Sequence, residues 1–392
     1  MGFVAVLPIF RTSIYQMTFL AIIDHLSPTL SPTLSPLRGA RGCQPADLPE
    51  SENRREFIIS TAASGLPYWM DMKLLDRIII SFFACCAATT AFGWGDEGHR
   101  TIGAMADKLI AGTAAATHVR ALLGDETLST ASVWADHVKG RRDQTPEMLQ
   151  FKNDNPNHFV FHYTDIPFEE PRYRDDSVGA TNLDVVHAIP ACILILQGRA
   201  AEQSLFTNVT PKVALRLLVH YIGDIHQPLH VGAGYLDGTK FVDPNGYGKP
   251  YKDDQGANRL LFGGTNKLHF FWDVTLVQLV MSNAHAQTPA EYAAILLSKP
   301  PPAWQDSGPL MTWDRNWANE SLVLSAKVHD VTVVDEDDSQ TDNRTGALRP
   351  QWHIKNLTPE NIAWSCKTAE EQMTKAGYRV AETLEAIWPD KQ

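Results

Sequence analysis

TPKVALRLLVHYIGDIHQPLH, residues 210–230, decides the fold. Thr210 and Pro211 supply an N-cap and a first helical position. From Val213 onward apolar side chains fall on nearly every side rather than along one stripe, the mark of a helix buried all round. Two residues do not belong in such a helix unless something compensates them. His220 and Asp224 stand four apart, so they share one face, one turn from each other. Pro228 closes the helix and His230 projects just beyond it. A neutral core histidine bonded to an aspartate is one account of the pair, because buried charge persists only when paired or metal-bound.

The same spacing recurs downstream, where LHFFWD at 268–273 sets His269 four residues before Asp273. Thirteen of the fourteen histidines lie beyond residue 93. Two His/Asp pairs plus His230 form the mixture of imidazole and carboxylate that Zn²⁺ takes. Around them the chain reads as helical. Thr-Pro at 210–211, 288–289 and 358–359 marks three helix starts, the last followed by Glu360 in its first turn. Segments 99–111, 182–202, 266–283, 312–329 and 359–387 read as further helices. Only 232–265, rich in Gly, Asp and Asn, reads as a long loop with one small hairpin. The expected fold is all-α, a single mainly helical domain with a long loop or small hairpin insertion.

The 392-residue chain carries a formal net charge of −11. Residues 1–93 are charge-balanced, so the acidity belongs to the remainder. That excludes a nucleic-acid surface built as a basic footprint, and any phosphate substrate must be held by something other than Lys and Arg. From Met72, Lys73 and Arg77 precede an apolar run, Ile78 to Ala88, and a small-residue end at Ala91-Phe92-Gly93. This is the three-part plan of a secretory signal, its apolar run too short for the roughly 20 residues of a membrane span; a buried core helix is the other account of the pattern. Residues 1–71, with LSPTLSPTLSP at 26–36, read as a disordered leader or as sequence upstream of a true start at Met70 or Met72. The expected order is therefore an extension at 1–71, a signal at 72–93 and one domain at 94–392. Such a protein is secreted or periplasmic and keeps no stable membrane anchor after processing. Cys192 and Cys366 lie beyond the signal, so one disulfide is possible. Asn208, Asn319, Asn343 and Asn356 begin glycan acceptor sequences.

Five stretches carry a resemblance: WGDEGH at 94–99, WAD at 134–136, FHYTDIP at 161–167, LVHYIGDIHQPLH at 218–230 and LHFFWD at 268–273. In this order they resemble the zinc-dependent single-strand-specific nucleases, of the fungal S-one and P-one type and the plant bifunctional type. The superfamily also holds zinc-dependent phospholipase C. The likeness runs from Trp94 to AGYRVAETLEAIW at 376–388. It implies a helical domain of the phospholipase C/nuclease type with three Zn²⁺ per chain. Trp94, through the amino group and carbonyl of a new N-terminus, would hold one with His99. Asp136, His162 and His220 would hold a second, with Asp224 bridging the two, and His230, His269 and Asp273 would hold the third.

The resemblance further implies Asp136, Asp224 and Lys139 at the reacting phosphate, Lys139 standing where the fungal enzymes carry arginine. Tyr163 matches the aromatic that stacks on a base, and Asp165 the carboxylate that contacts it. Gly256-Ala257-Asn258 stands in place of a Gly-Gly-Asn. The implied substrates are single-stranded DNA and RNA, cut to 5′-mononucleotides, together with 3′-nucleotides. The implied state is a monomer. Two rival readings keep the metal: a phospholipase C, whose last ligand pair ends in glutamate where Asp273 stands, and a non-catalytic secreted zinc-binding protein. The second would have no use for Tyr163 and Asp165.

Overall fold

The computed structural model describes residues 94–140, 144–301, 306–341 and 346–391. The expected leader and signal, and the acceptor at Asn343, lie outside the described residues. In chain order the helices are α1 (Gly95–Leu109), α2 (Ala114–Leu123), α3 (Leu128–Ala131), α4 (Trp134–Lys139), α5 (Pro146–Asp154), α6 (Val185–Leu196), α7 (Pro211–Ile225), α8 (Leu268–Phe270), α9 (Leu276–Asn283), α10 (Pro289–Leu297), α11 (Trp313–Asp330) and α12 (Pro359–Ile387). The three Thr-Pro starts behave as their chemistry requires. The hydroxyls of Thr210, Thr288 and Thr358 accept the N–H of Val213, Glu291 and Asn361, with proline at the first helical position. Each such cap is worth about 1 kcal/mol. Thr145-Pro146 opens α5 in the same way, a start the sequence reading passed over.

α7 is the core helix, with every residue from Val213 to Ile225 buried. α6 packs along it, while α1 packs against α3, α10 and α12 and reaches α7. Glycines permit the close seating of α1. A Cβ on Gly103 would lie 2.4 Å from the Leu128 carbonyl oxygen, and one on Gly377 would lie 2.8 Å from Met105 Cβ. Elsewhere α11 and α12 are tied by charge. Arg379, almost wholly buried, donates to the two carboxylate oxygens of Glu320 at 2.7 and 3.1 Å and to His226 Nε2 at 2.8 Å.

The sheets depart from the expected single hairpin. β1 (Ile166–Pro167) pairs in parallel with β2 (Gly232–Ala233); β3 (Tyr235–Asp237) is flanked by β4 (Lys240–Phe241) and β5 (Lys252–Asp253). β6 (Leu260–Phe262) and β7 (Asn266–Lys267) join β8 (Val334–Asp337) and β11 (Trp352–Ile354) in the order β7-β6-β11-β8, and β9 (Gln340–Thr341) pairs with β10 (Leu348–Arg349). These strands are two to four residues long and several pair across long sequence separations, so no local alternation announces them.

Two helices are shorter than expected. Asp184 caps α6 from its side chain and Gly198 beyond it turns at φ +75°, which leaves Val185–Leu196 of the expected 182–202. The expected helix at 266–283 opens as β7, then runs as α8, a π-helical turn at Phe271–Thr275, and α9. Cys192 and Cys366 stand as free thiols, so the possible disulfide is not made. No helix among the described residues is long and apolar enough to cross a membrane.

Candidate metal centre

Asp224 sits on the buried face of α7 with four imidazoles around its carboxylate. His162 Nδ1 lies 2.9 Å and His220 Nε2 3.0 Å from Oδ2; His99 Nε2 lies 3.3 Å and His230 Nδ1 3.7 Å from Oδ1. α1 delivers His99, whose ring stacks on His220 with centroids 3.9 Å apart and planes 18° from parallel. That approach is possible because Gly223 has no side chain: a Cβ there would stand 2.7 Å from His99 Nδ1. A 3₁₀ turn, Val160–His162, delivers His162, held beside His230 where the Thr164 N–H donates to the His230 carbonyl at 2.8 Å. α4 delivers Asp136, whose Oδ1 is 3.5 Å from His220 Nε2 and 3.7 Å from His162 Nδ1.

The ligand-type atoms fall into three groups, each close enough to hold a metal ion: His99, Asp136 and His220; His162, His220 and Asp224; His230, His269 and Asp273. The third is set by the π turn, which brings His269 Nε2 to 3.2 Å from Asp273 Oδ2 across four residues. All side chains named from the sequence as ligands, apart from Trp94, thus come together. Asp136 falls in with His99 as well as with His220. Trp94 is fully buried at the start of α1, its carbonyl accepting the Gly98 N–H at 3.2 Å. It lines a small cleft with Asp273, Val277 and Gln278.

Neighbouring carbonyls orient three of the rings. A carbonyl oxygen can only accept, so the nitrogens that face one must carry the proton. His220 Nδ1–H donates to Ser132 O at 2.6 Å, His230 Nδ1–H to His162 O at 2.9 Å, and His269 Nδ1–H to Gly256 O at 2.6 Å. Each leaves an Nε2 lone pair turned into the cluster, the arrangement that presents imidazole to a metal. Gln227 plays a similar part for Asp273, donating Nε2–H to Oδ1 at 2.7 Å.

The cluster fits cations on a further ground. Both nitrogens of His99, Nε2 of His230 and the carboxylate oxygens Asp136 Oδ2, Asp224 Oδ1 and Asp273 Oδ2 are buried without a hydrogen bond. A buried polar atom left so costs about 1–3 kcal/mol. Several lone pairs facing one another invite a shared positive charge. The electrostatics agree. Burial opposes the charge on Asp224, but the imidazoles of His220, His230 and His162 around it outweigh it and hold the carboxyl well below its usual range. Burial, assisted by Lys139, lowers His162 to about 3, leaving it a neutral donor.

Along the rim, Lys139 at the end of α4 lies 2.7 Å from Asp136 Oδ1. Tyr163 follows His162 directly and is half-buried; burial and the charges of Asp165 and Asp253 raise its hydroxyl to about 12. Burial and the repulsion of Asp253 and Asp254 raise Asp165 to about 7. The Asp165 carbonyl accepts the Tyr235 hydroxyl at 2.7 Å, and Gly179 backs it so closely that a Cβ would lie 1.9 Å from that oxygen. Sequence reasoning missed Ser132, Gly223 and Gln227. A buried polar residue beside a ligand motif was the available signal for Gln227 alone.

A buried His/Asp cluster with lone pairs turned inward, a cation at its edge and an aromatic beside it belongs to the class of metal-dependent phosphoesterases. Residues 94–389 match the family described as S1/P1 Nuclease. Similar chains include Endonuclease 2 of Arabidopsis thaliana, 30% identical over 210 residues, 51% of this chain and 62% of that protein. Nuclease S1 of Aspergillus oryzae is 24% identical over 79% of this chain and 96% of its own, and Nuclease P1 of Penicillium citrinum 24% identical over 75% and 97%. The chain belongs to the S1/P1 nuclease family, hydrolases of the phospholipase C/nuclease fold type that act on phosphodiester bonds.

Proposed function

We propose that the chain is a trinuclear zinc nuclease that hydrolyses single-stranded DNA and RNA to 5′-mononucleotides and also removes 3′-phosphate from nucleotides. The observation that carries this reading is the single carboxylate of Asp224 among four imidazoles, with further buried donors unpaired on either side. In this reading Trp94 and His99 hold one Zn²⁺ and Asp136, His162 and His220 a second, with Asp224 between them. His230, His269 and Asp273 hold the third. The imidazole and carboxylate donors suit zinc, and the neutral state of His162 makes its lone pair available.

When bound, three Zn²⁺ supply positive charge for the phosphodiester oxygens and a water of lowered pKa for in-line attack. The protein's own groups do the rest. Lys139 offers a mobile ammonium to the phosphate; unlike arginine it binds as a point charge rather than a fork. Asp136 keeps that ammonium at the site. Tyr163 stacks on an unpaired base, worth ~1–3 kcal/mol, and Asp165 reads its polar edge. Paired bases are already stacked, so duplexes react more slowly.

Residues 72–93 are read as a cleaved secretory signal behind a non-domain extension at 1–71. The mature domain begins at Trp94, is secreted or periplasmic, and acts as a monomer. Elemental analysis of the mature protein together with rates on single-stranded DNA, RNA, duplex DNA and phosphatidylcholine tests the proposal. Three zinc per chain and preference for single strands are expected. Hydrolysis of phosphatidylcholine with oligonucleotides untouched overturns it in favour of a phospholipase; zinc without any hydrolysis overturns it in favour of a binding protein.

A further inference from the structure

Asp254 lies in the stretch read from sequence as a loop, and it is fully buried. Oδ1 accepts two backbone N–H groups, from Gly234 at 3.0 Å and Ala257 at 2.9 Å. Oδ2 lies 3.0 Å from His329 Nε2. His329 is equally buried on α11, with its Nδ1–H donating to the Ser325 carbonyl at 2.8 Å and its ring stacked on Phe168 at 4.6 Å. With Nδ1 committed as a donor to a carbonyl, only Nε2 is left to meet the carboxylate, so the ring is fixed from both ends.

The two N–H groups belong to segments that serve one site. Gly234 continues the strand that leads from His230 through β2. Ala257 closes a turn in which Gln255, Gly256 and Ala257 are all left-handed, at φ +54°, +55° and +63°. Left-handed backbone is unfavourable for Gln and Ala, so this turn needs an external hold. Its middle carbonyl, Gly256 O, accepts the Nδ1–H of His269, and its Ala257 carbonyl accepts the His269 backbone N–H at 3.3 Å. Gly256 also fits against the residue before His230, where a Cβ would lie 2.1 Å from the Leu229 carbonyl oxygen. One carboxylate therefore pins the strand behind His230 and the turn that fixes the tautomer of His269.

We propose that Asp254 and His329 form a positioning pair for the cation site of His230, His269 and Asp273. They touch no ligand atom and act only through backbone. The inference rests on the metal reading above, and His269→Ala identifies the zinc equivalent at issue. Asp254→Ala frees Gly234, Ala257 and His329 together and weakens that one equivalent about 10–100-fold in chelator competition, leaving the other two in place. Asp254→Asn keeps the Oδ1 acceptor and, once His329 gives up its Nε2 proton, donates from Nδ2 to that nitrogen, so it retains wild-type zinc affinity.

A second readout needs no metal. Histidine ¹H–¹⁵N spectra of zinc-free protein show His269 as the Nδ1–H tautomer in wild type and Asp254→Asn, and as a tautomer mixture in Asp254→Ala. Should Asp254→Ala fail to fold, His329→Gln decides, with about tenfold weaker zinc at the same site expected. Unchanged zinc affinity and a fixed His269 tautomer in Asp254→Ala, or in His329→Gln if that must stand in, overturn the proposal. Wild-type zinc content in His269→Ala instead overturns the metal reading on which it rests.

Discussion

Asp224 of α7 and His99 of α1 meet with Oδ1 3.3 Å from Nε2, both side chains wholly out of solvent. The contact joins the two helices at the point where the carboxylate also faces His162, His220 and His230. Asp224→Asn keeps the shape and the burial but removes the charge. At least one zinc equivalent and at least ~100-fold of nuclease activity are expected to go together, more than a neighbour of a ligand costs. Elemental analysis and far-UV circular dichroism on the same sample check it. Full zinc content with near-normal turnover would leave Asp224 as a hydrogen-bond partner of core histidines.

On the proposed reading, Tyr163 serves base recognition and not metal binding. Tyr163→Ala should lower kcat/KM on single-stranded substrate by ~1–3 kcal/mol, about 5- to 150-fold, at unchanged zinc content. Steady-state kinetics on a short oligonucleotide measure it. An effect on zinc instead of on kcat/KM would make the ring a packing element of the 3₁₀ turn.

Trp94 tests the start of the mature chain. A peptide nitrogen has its lone pair delocalised into the carbonyl, so only a terminal amine at residue 94 can donate to a metal. Protein beginning at Trp94 should hold one more zinc than protein beginning at Gly93 or left uncleaved, and be far more active. Intact mass, zinc stoichiometry and rate on the three forms decide the matter; equal values in all three remove Trp94 from the ligand set.

Glu320 gives a pH dependence independent of the metal. Burial opposes its charge, but Arg379 and Lys375 outweigh it and hold the carboxyl down to about 2 from an ordinary 4.5. A carboxylate with a lowered folded-state pKa stabilises the fold above its unfolded pKa, and the stabilisation is lost as pH falls through the folded value. The Tm difference between wild type and Glu320→Gln should be constant above pH 4.5 and shrink toward pH 2. Thermal melts across that window check it, and a pH-independent gap would rule the mechanism out.

The helical frame was legible because its signals are local. Thr210, Thr288 and Thr358 cap where Thr-Pro said they would, and the His220/Asp224 spacing put two ligand-type side chains on one face. His269 and Asp273 met as expected, although through a π turn that i,i+4 spacing does not distinguish from an α-helix. What stayed hidden depends on distance along the chain. Leu260 pairs with Trp352, and Asp254 finds His329, through folding alone. No window of sequence contains both partners. The three consecutive left-handed residues were likewise concealed, because Ala257 carries none of the conformational licence that a glycine would have advertised.

Gly223 stands beside Asp224 and offers no donor atom. Its missing methyl sets how near α1 comes to α7, and so how far His99 stands from Asp224. The bite of the site is thus a property of the backbone, inherited at a position that a comparison of ligand residues would pass over. Two chains could share all the donors named above and still differ in the spacing between their ions, because one of them had gained a single carbon there.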